Sequence, residues 1–364
     1  MPGPSKQRRW FGRAPGRLRV TRAARVAAAA LSDPASAPPV DPALGYRSHH
    51  FPLRAIDPPM VRRHGVKLLP AELDADGAYV YRLPSGQVGF HPVNALQYAI
   101  SAHTEYVTAG GRVWLERAAA TARVVAAHRE QHGQAWFFPY TQPYDKPSVG
   151  YHLDPPWYSA MAQGEALSLF TQMAWEFPDD PLWAQAADGV FESFLVRPDW
   201  TGGLTGGPDG PRSAPDGQVG AAGGDQAPAG DGQHWDGQPW AAHVLDGYLW
   251  CEEYVGAAAP LQVFNGHVFG LYGLYEYALH TGRAQAAALW AGAATTALHA
   301  APRLRVPGDV SLYCLNDQYC VRPHWASPNY QAIHVRQLGQ LSLMTGDRRF
   351  AALAEALEGD YVKQ

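Results

Sequence analysis

Four segments of the chain repeat one plan, and this repetition restricts the fold more than any other feature. Each segment consists of a helix with apolar residues at three- and four-residue spacing, a short turn containing Gly or Asp, and a second helix rich in small residues. The segments span residues 94–130, 159–195, 265–300 and 332–360. Because the first helix of each pair is apolar on most sides, we expect an inner ring of first helices wrapped by the second ones. The predicted fold is mainly α: an (α/α) toroid or incomplete (α/α) barrel of helical hairpins, with a small N-terminal β element.

The region before the first hairpin has a different character. Residues 1–32 hold eight Lys/Arg and no acid, and they lead into a Pro/Ala/Ser stretch near residue 40. Residues 1–44 are therefore expected to form a basic, disordered tail. Turn signals such as DADG and PSGQ surround short strand-like pieces in 45–91 and predict a small β-rich element. The helical domain would span 92–364, with a flexible Gly/Pro-rich insertion near 200–240.

The cysteines and the N-terminal residues give information on the cellular compartment of the protein. Cys251, Cys314 and Cys320 form an odd set without CxxC spacing, which favours unpaired thiols and a reducing compartment. The stretch RRWFGR (8–13) is similar to a twin-arginine export signal, but arginines follow where an apolar region belongs. A cytoplasmic protein is thus favoured over an exported one. No apolar run reaches the roughly 18 residues of a membrane span.

Charge and aromatic content restrict the partners. The net charge is −4, and without residues 1–32 the chain has 21 basic against 33 acidic residues, a net charge near −12. Such a body does not attract nucleic acid. The twelve Trp and eighteen Tyr suit a groove that grips sugars, although aromatic residues are core residues by default. The long loops 132–158 and 303–331 concentrate aromatics and are expected to form the rim of a cleft.

Three motifs contain polar groups beside inner helices, and each has a structural alternative. Gln163 lies in PPWYSAMAQGEALSLF (155–170), where Ser159 is a plausible N-cap and small residues at four-residue spacing permit close helix packing. The EEY run at 252–254 offers paired acids beside a tyrosine for proton transfer, or simply a charged helix end. Tyr330, His334 and Gln337 share one helical face, where His334 is either a base or a hydrogen-bonded core residue. The sequence shows no metal-ligand spacing and no nucleotide-binding motif, so neither a metal nor another cofactor is expected.

Taken in order, these pieces resemble the D-glucuronyl C5-epimerase C-terminal family. They are WYSAMAQGEALSL, EEY followed by a turn and NG, the loop SLYCLNDQYC (311–320), and NYQAIHVRQL with a trailing TGD. The likeness runs from about residue 90 to 361. It implies an isomerase that needs no cofactor and inverts C5 of D-glucuronate to L-iduronate within a uronic-acid polysaccharide; it also makes a homodimer plausible.

The resemblance also implies roles for individual residues. By motif match, Tyr254 and Tyr313 are candidate acid/bases, Tyr330 is a supporting or substrate-binding group, and Glu253 is a further catalytic residue. Tyrosine serves as a base only if neighbouring cations or donors lower its pKa from about 10. The expected substrate-binding residues are Asn316, Trp157, Tyr158, Gln163, Asn265, His334 and Gln337.

One departure from the family pattern affects the substrate carboxylate. The family loop reads Tyr-Asp-x-Arg, and its arginine pairs with the uronate, whereas residues 313–316 here read Tyr-Cys-Leu-Asn. Replacing a charge-assisted partner by the neutral Asn316 costs on the order of 2–5 kcal/mol. Arg322 or Arg336 is a possible substitute. Two alternatives therefore stay open: a catalytically degenerate member that binds glycans, and a polysaccharide lyase-type reaction on the same fold.

Overall fold

A computed structural model describes residues 37–56, 59–60, 71–198, 237–320 and 327–361, and between residues 92 and 360 its α-helices form four hairpins. Most of the predicted tail and almost all of the predicted insertion near 200–240 lie outside these ranges. The helices within them are α1 (Pro92–Ala109), α2 (Arg112–Ala127), α3 (Ala160–Glu176), α4 (Pro181–Ser193), α5 (Phe264–Thr281), α6 (Ala284–Leu304), α7 (Pro328–Thr345) and α8 (Arg348–Asp360). The mainly helical class is confirmed.

The first helices of the hairpins pack against one another in chain order. Helix α1 contacts α3, α3 contacts α5, and α5 contacts α7, while each also packs on the second helix of its own hairpin. The contact between α3 and α5 is the closest because glycines face each other there. A Cβ atom on Gly164 would collide with the backbone of Phe269 and Gly270, and one on Gly273 would collide with Gly164. The close packing predicted from small residues in this motif is therefore confirmed at Gly164.

Burial follows the asymmetry between first and second helices that the sequence predicts in the second hairpin but not in the fourth, where 8 of 18 residues of α7 and 6 of 13 of α8 are buried. In α3, 14 of 17 residues are buried, and in α5, 15 of 18 are buried. The second helix α4 buries only 7 of 13. The predicted N-cap of α3 is also confirmed, since Ser159 Oγ accepts a hydrogen bond from the Ala162 amide at 3.5 Å.

Short antiparallel strand pairs occupy the segments between and before the hairpins. They are β1 (Val40–Asp41) with β2 (Tyr46–Arg47), β3 (Tyr81–Arg82) with β4 (Val88–Gly89), β5 (Glu130–His132) with β6 (Ala135–Phe137), β7 (Tyr144–Lys146) with β8 (Tyr151–Leu153), and β9 (Ala242–Leu245) with β10 (Tyr248–Cys251). None of the described helices is both long and apolar enough to cross a bilayer.

Buried apolar residues form two clusters rather than one. The larger lies between the helices. The smaller contains five aromatic residues, among them Tyr254 and Tyr313, and comes from the loops that lead into α3, α5 and α7. This second cluster, called here the aromatic cluster, contains Tyr140, Tyr151, Leu153, Trp157, Tyr254, Leu261, Val263, Tyr313, Cys314 and Cys320, with Tyr144 and Tyr330 packed against it.

Candidate active site

The aromatic cluster forms because three lead-in segments lie side by side at the N-terminal ends of inner helices. Tyr158 and Val255 exchange backbone hydrogen bonds of 2.8 and 2.9 Å, which join the segment before α3 to the segment before α5. Val263 and Cys314 form a second antiparallel bridge, which joins the latter segment to the loop 311–320. These pairings bring motifs far apart in sequence to one place.

Tyr313 lies at the centre of this assembly. Its hydroxyl donates to Oε1 of Glu253 at 3.1 Å and lies 3.2 Å from the hydroxyl of Tyr254. Its ring centroid is 4.3 Å from that of Tyr330. The four residues predicted to be catalytic are therefore adjacent.

The three tyrosines differ in their access to solvent. Tyr313 is 1% exposed and Tyr254 9%, whereas Tyr330 is only half-buried. Tyr313 thus forms the floor of the site, and Tyr330 is the phenol of the three that a large substrate reaches most readily.

Glu253 fits against the first turn of α5 because residue 266 has no side chain. A Cβ on Gly266 would collide with the Glu253 carboxyl group. The Glu253 residue keeps some exposure, but its Oε2 atom is covered and has no hydrogen-bond partner among the described residues. Burial raises the pKa of Glu253 to about 7, while its hydrogen bond from Tyr313 and the Gly266 amide at the helix N-terminus lower it. A carboxylate tuned in this way is a suitable general base near neutral pH.

The pKa values of the phenols shift in the opposite direction from the one that a tyrosine base requires. Burial, and next the charge of Glu253, raise the pKa values of Tyr313 and Tyr254 well above 10. The same two causes raise the pKa of Tyr330. The condition for a tyrosine base, a pKa lowered by cations or donors, is not met at these residues, because their surroundings are apolar or negatively charged. The three phenols are therefore protonated at neutral pH.

Tyr144, which the sequence motifs did not single out, also belongs to this group. It lies on β7, and its ring centroid is 4.5 Å from that of Tyr254. The sequence signal for Tyr144 is the run YDK, because alternate residues of a strand face the same side. This signal identifies Tyr144 only if β7 pairs with β8, and short polar strands do not specify such a pairing by themselves.

A second buried acid also lies near Glu253. Glu165 on α3 is fully buried, and its Oε1 accepts a hydrogen bond from Gln97 at 3.0 Å. Burial, and to a smaller extent the charge of Glu253, raise its pKa to about 8, while the hydrogen bond from Gln97 lowers it. Glu165 is polar in an otherwise apolar helix, which is the one feature of the sequence that distinguishes it.

The structure separates Trp157 from Tyr158, both predicted to bind substrate. Trp157 stacks on Tyr140 with centroids 3.7 Å apart and lies 5.8 Å from the Tyr254 ring, within the aromatic cluster. Tyr158 points instead to the helical core, where its hydroxyl donates to Oε2 of Glu130 at 2.6 Å. Successive residues of an extended segment face opposite sides, which explains the difference.

Four other predicted binding residues are buried and hold the scaffold together. Gln163 donates to the Trp136 carbonyl at 2.7 Å and to Ser193 Oγ at 2.8 Å. Gln337 on α7 donates to the Asn265 carbonyl on α5 at 2.9 Å. His334 Nδ1 lies 3.0 Å from Ser311 Oγ, and burial lowers the pKa of His334 to about 3, so that it is neutral. These bonds fix inner helices and the Tyr313 loop relative to one another.

Asn316 shapes the loop that carries Tyr313. Its Nδ2 donates to the Pro260 carbonyl at 2.9 Å, while its Oδ1 accepts from the amides of Gln318 and Tyr319 at 3.0 and 3.3 Å. This Asx-type turn engages both ends of the side-chain amide. Contact between Asn316 and a substrate would compete with these bonds.

A disulfide closes the same loop, and the expectation of unpaired cysteines is wrong here. Cys314 and Cys320 are bonded, with Cα atoms 5.6 Å apart, and Cys251 remains a buried free thiol. An odd cysteine count does not exclude a pair within one loop, because only local geometry is required. The cysteines therefore do not support a reducing compartment. The part of the chain that the structure describes contains no cluster of three or more His, Cys, Asp or Glu able to hold a metal ion.

Comparison with models of protein families gives a match that includes this region. The family model described as "D-glucuronyl C5-epimerase C-terminus" matches residues 129–207 and 234–358, which together make up more than half of the chain. A search of curated proteins finds no match. The matched ranges include Tyr254, Tyr313, Tyr330 and Glu253. The chain therefore belongs to the D-glucuronyl C5-epimerase C-terminus family.

Proposed function

We propose that this protein inverts C5 of D-glucuronate residues in a polysaccharide to give L-iduronate, without a cofactor. One observation carries the proposal: the Tyr313 hydroxyl contacts both Glu253, a carboxyl group whose pKa is about 7, and the Tyr254 hydroxyl, and the Tyr330 ring lies 4.3 Å from the Tyr313 ring. Inversion needs a base on one face of the sugar and a proton donor on the other, and this group contains both types.

The proton balance assigns the roles. The Glu253 carboxylate takes the C5 proton and becomes a carboxylic acid, leaving an enolate-like dianion. A phenol on the opposite face gives its proton to C5 and becomes a phenolate. Tyr330 suits this second role best, because it is half-buried and its pKa is raised less than those of the other two tyrosines. In the reverse direction the two groups exchange roles.

In this assignment, Tyr313 and Tyr254 have different roles from the acid/base roles that the resemblance implies. Tyr313 is too buried to meet the sugar with more than its hydroxyl, so it becomes the group that holds Glu253 and Tyr330 in position. Tyr254 lies beside Tyr313 and supports its hydroxyl. Donors preorganised in a site from which water is excluded stabilise developing charge strongly, which suits an enolate intermediate.

The substrate carboxylate requires a cation, and Lys146 is the best placed. Within the described segments 140–158, 252–264, 311–320 and 327–337, the Lys and Arg residues are Lys146 and Arg336. Arg336 lies roughly a third of a turn around α7 from Tyr330, and its charge interacts with Tyr272 on α5. Lys146 lies on the face of β7 that also carries Tyr144, since side chains alternate along a strand. Arg322 lies outside the described residues.

The helical hairpins support this function as a rigid frame. We propose that they form the (α/α) toroid expected from the sequence, because the inner helices follow one another in chain order and each is backed by its own outer helix. In that arrangement, the N-terminal ends of α3, α5 and α7 present the catalytic groups at one rim.

A second candidate is a catalytically degenerate member that binds glycans. The observation in its favour is Asn316, which occupies the position of the family arginine and is used by the loop itself. The proposed roles of Glu253 and Tyr330 do not depend on that position.

The test is incubation of the purified protein with glucuronan or heparosan in deuterated water, followed by NMR at C5. Deuterium at C5 together with iduronate signals is the expected result. An ultraviolet-absorbing unsaturated uronate would indicate a lyase instead. Retained glycan binding without any exchange would reject both enzyme activities and leave the degenerate member.

A further inference from the structure

The short segment 260–264, which leads into α5, supports the loop that carries Tyr313. The Leu261 carbonyl accepts a hydrogen bond from the Asn316 amide at 3.2 Å, and the Phe264 amide donates to the Tyr313 carbonyl at 3.4 Å. These bonds hold the backbones of the segment and the loop together on both sides of residue 262. The course of the segment therefore determines where the Tyr313 hydroxyl lies relative to the proposed base.

Residue 262, in the middle of this segment, has a left-handed backbone. The φ angle of Gln262 is 55°, in a region that residues with a side chain rarely adopt. Among the described residues, Asp246 is the other non-glycine residue with a positive φ, at 51°. Asp246 precedes Gly247 in the turn between β9 and β10, where an Asp-Gly pair favours this conformation. Gln262 lies in no such turn sequence, so contacts with other parts of the protein hold it in place.

Glu252 provides such a contact. Its side chain is fully buried, and its Oε2 atom accepts a hydrogen bond from the Gln262 amide at 3.0 Å. Nε2 of His243, on β9, lies 3.7 Å from the same oxygen. The backbone of Glu252 is also fixed, because its amide donates to the Ala241 carbonyl at 3.0 Å and its carbonyl accepts from the Ala160 amide at 2.7 Å. The carboxyl group thus reaches residue 262 from a fixed position.

On the basis of the proposed function, we propose that Glu252 is a positioning residue that holds Gln262 in its left-handed conformation and so places the Tyr313 hydroxyl against Glu253. Glu252 exchanges no proton with the sugar and acts through the backbone of 260–264. A charged helix end, the structural alternative for the EEY run, would be exposed to solvent, whereas Glu252 is fully buried. Rare backbone conformations enforced by their surroundings are concentrated at active sites.

The test changes the acceptor at residue 252. The kcat and KM for C5 deuterium exchange on heparosan are measured, and circular dichroism checks that each variant is folded. Glu252→Gln keeps an oxygen for the Gln262 amide and should stay within a few-fold of wild type. Glu252→Met removes the acceptor and should lower kcat by about 10²-fold with little change in KM, because the Tyr313 hydroxyl is misplaced. Glu252→Asp keeps the charge but withdraws the carboxylate by one methylene, and its kcat should fall by about tenfold.

A glycine at residue 262 distinguishes positioning from a general gain in stability. Glycine adopts a positive φ without steric cost. Adding Gln262→Gly to Glu252→Asp or to Glu252→Met should therefore restore kcat by at least about fivefold. Asp246→Gly relaxes the left-handed residue of the β9–β10 turn and is the matched control. Added to the same two variants, it should leave kcat unchanged.

Several outcomes would overturn the inference while the proposed function stands. They are wild-type kcat in Glu252→Asp, a loss in Glu252→Gln as large as that in Glu252→Met, no recovery with Gln262→Gly, or equal recovery with Asp246→Gly. If Glu252→Met does not fold, the Glu252→Asp series decides by the same criteria. A wild type that neither exchanges C5 nor forms iduronate would remove the proposed function, and this inference with it.

Discussion

The hydroxyl of Tyr313 donates to Oε1 of Glu253 across 3.1 Å, although 60 residues separate the two in sequence. The bond is possible because the strand-like bridges between the lead-in segments place the loop 311–320 against the start of α5. It lowers the pKa of Glu253, in opposition to burial. This one contact thus fixes the position of the Glu253 carboxyl group and keeps its pKa low enough for it to act as a base near neutral pH.

Replacement of Tyr313 by Phe should remove most of the exchange activity. The variant loses the donor to Glu253 and the link to the other phenols, and loss of one preorganised donor typically costs about 10²–10³ in kcat. The measurement is C5 deuterium exchange on heparosan. Tyr319→Phe, in the same loop, is the matched control and should stay within a few-fold of wild type. Full activity in Tyr313→Phe would exclude Tyr313 from the mechanism.

The activity should fall as the pH drops below about 7. Burial holds the pKa of Glu253 near 7, so that the carboxylate form required of a base is lost on acidification through that value. We expect kcat/KM for exchange to decrease about tenfold per pH unit on the acid side. In Tyr313→Phe, the residual activity should have its acid limb at higher pH, since the bond that lowers the pKa is gone. An acid limb near 4.5, the ordinary pKa of glutamate, would assign the base to another group.

The sequence predicts the scaffold and the position of the catalytic motifs, because both are local patterns. Helical periodicity identifies the hairpins, Ser159 marks the start of α3, and small residues at Gly164 predict its close packing. Glu253 and Tyr313 are recognised from short motifs. The order of these motifs, not the physics of any one of them, identifies the family.

The remaining features depend on pairing and burial that no local pattern encodes. Tyr144 and Trp157 enter the aromatic cluster through a strand register, and the neighbour of Trp157, Tyr158, faces away for the same reason. The pKa of Tyr254 rises instead of falling because burial next to an acid outweighs any donor. The disulfide between Cys314 and Cys320 depends on the local geometry of one loop, which an odd cysteine count does not reveal.

Loss of that disulfide should weaken both the fold and the activity. A cross-link that closes a loop of this size contributes about 2 kcal/mol by restricting the unfolded chain. Tyr313 directly precedes Cys314, so that an open loop also holds the catalytic hydroxyl less firmly. The paired variant Cys314→Ser/Cys320→Ser should therefore unfold at lower urea concentration and exchange C5 more slowly than wild type. Dithiothreitol should bring wild type to the level of the variant and leave the variant unchanged; no effect of dithiothreitol on wild type would contradict the prediction.

Substitution of Lys146 by Met should weaken binding of uronate oligosaccharides by about tenfold, because a charge-assisted hydrogen bond contributes about 1.5–3 kcal/mol. Lys146→Arg keeps the charge and should retain most of the affinity. Arg112→Met removes a cation that is 79% exposed on α2 and serves as the control for net charge. Calorimetry with native and carboxyl-reduced oligosaccharides isolates the contact: Lys146→Met should bind the native ligand more weakly than wild type does, yet bind the reduced ligand equally well. Equal losses on both ligands would show that Lys146 does not meet the carboxylate, and the site would then hold its substrate without this cation.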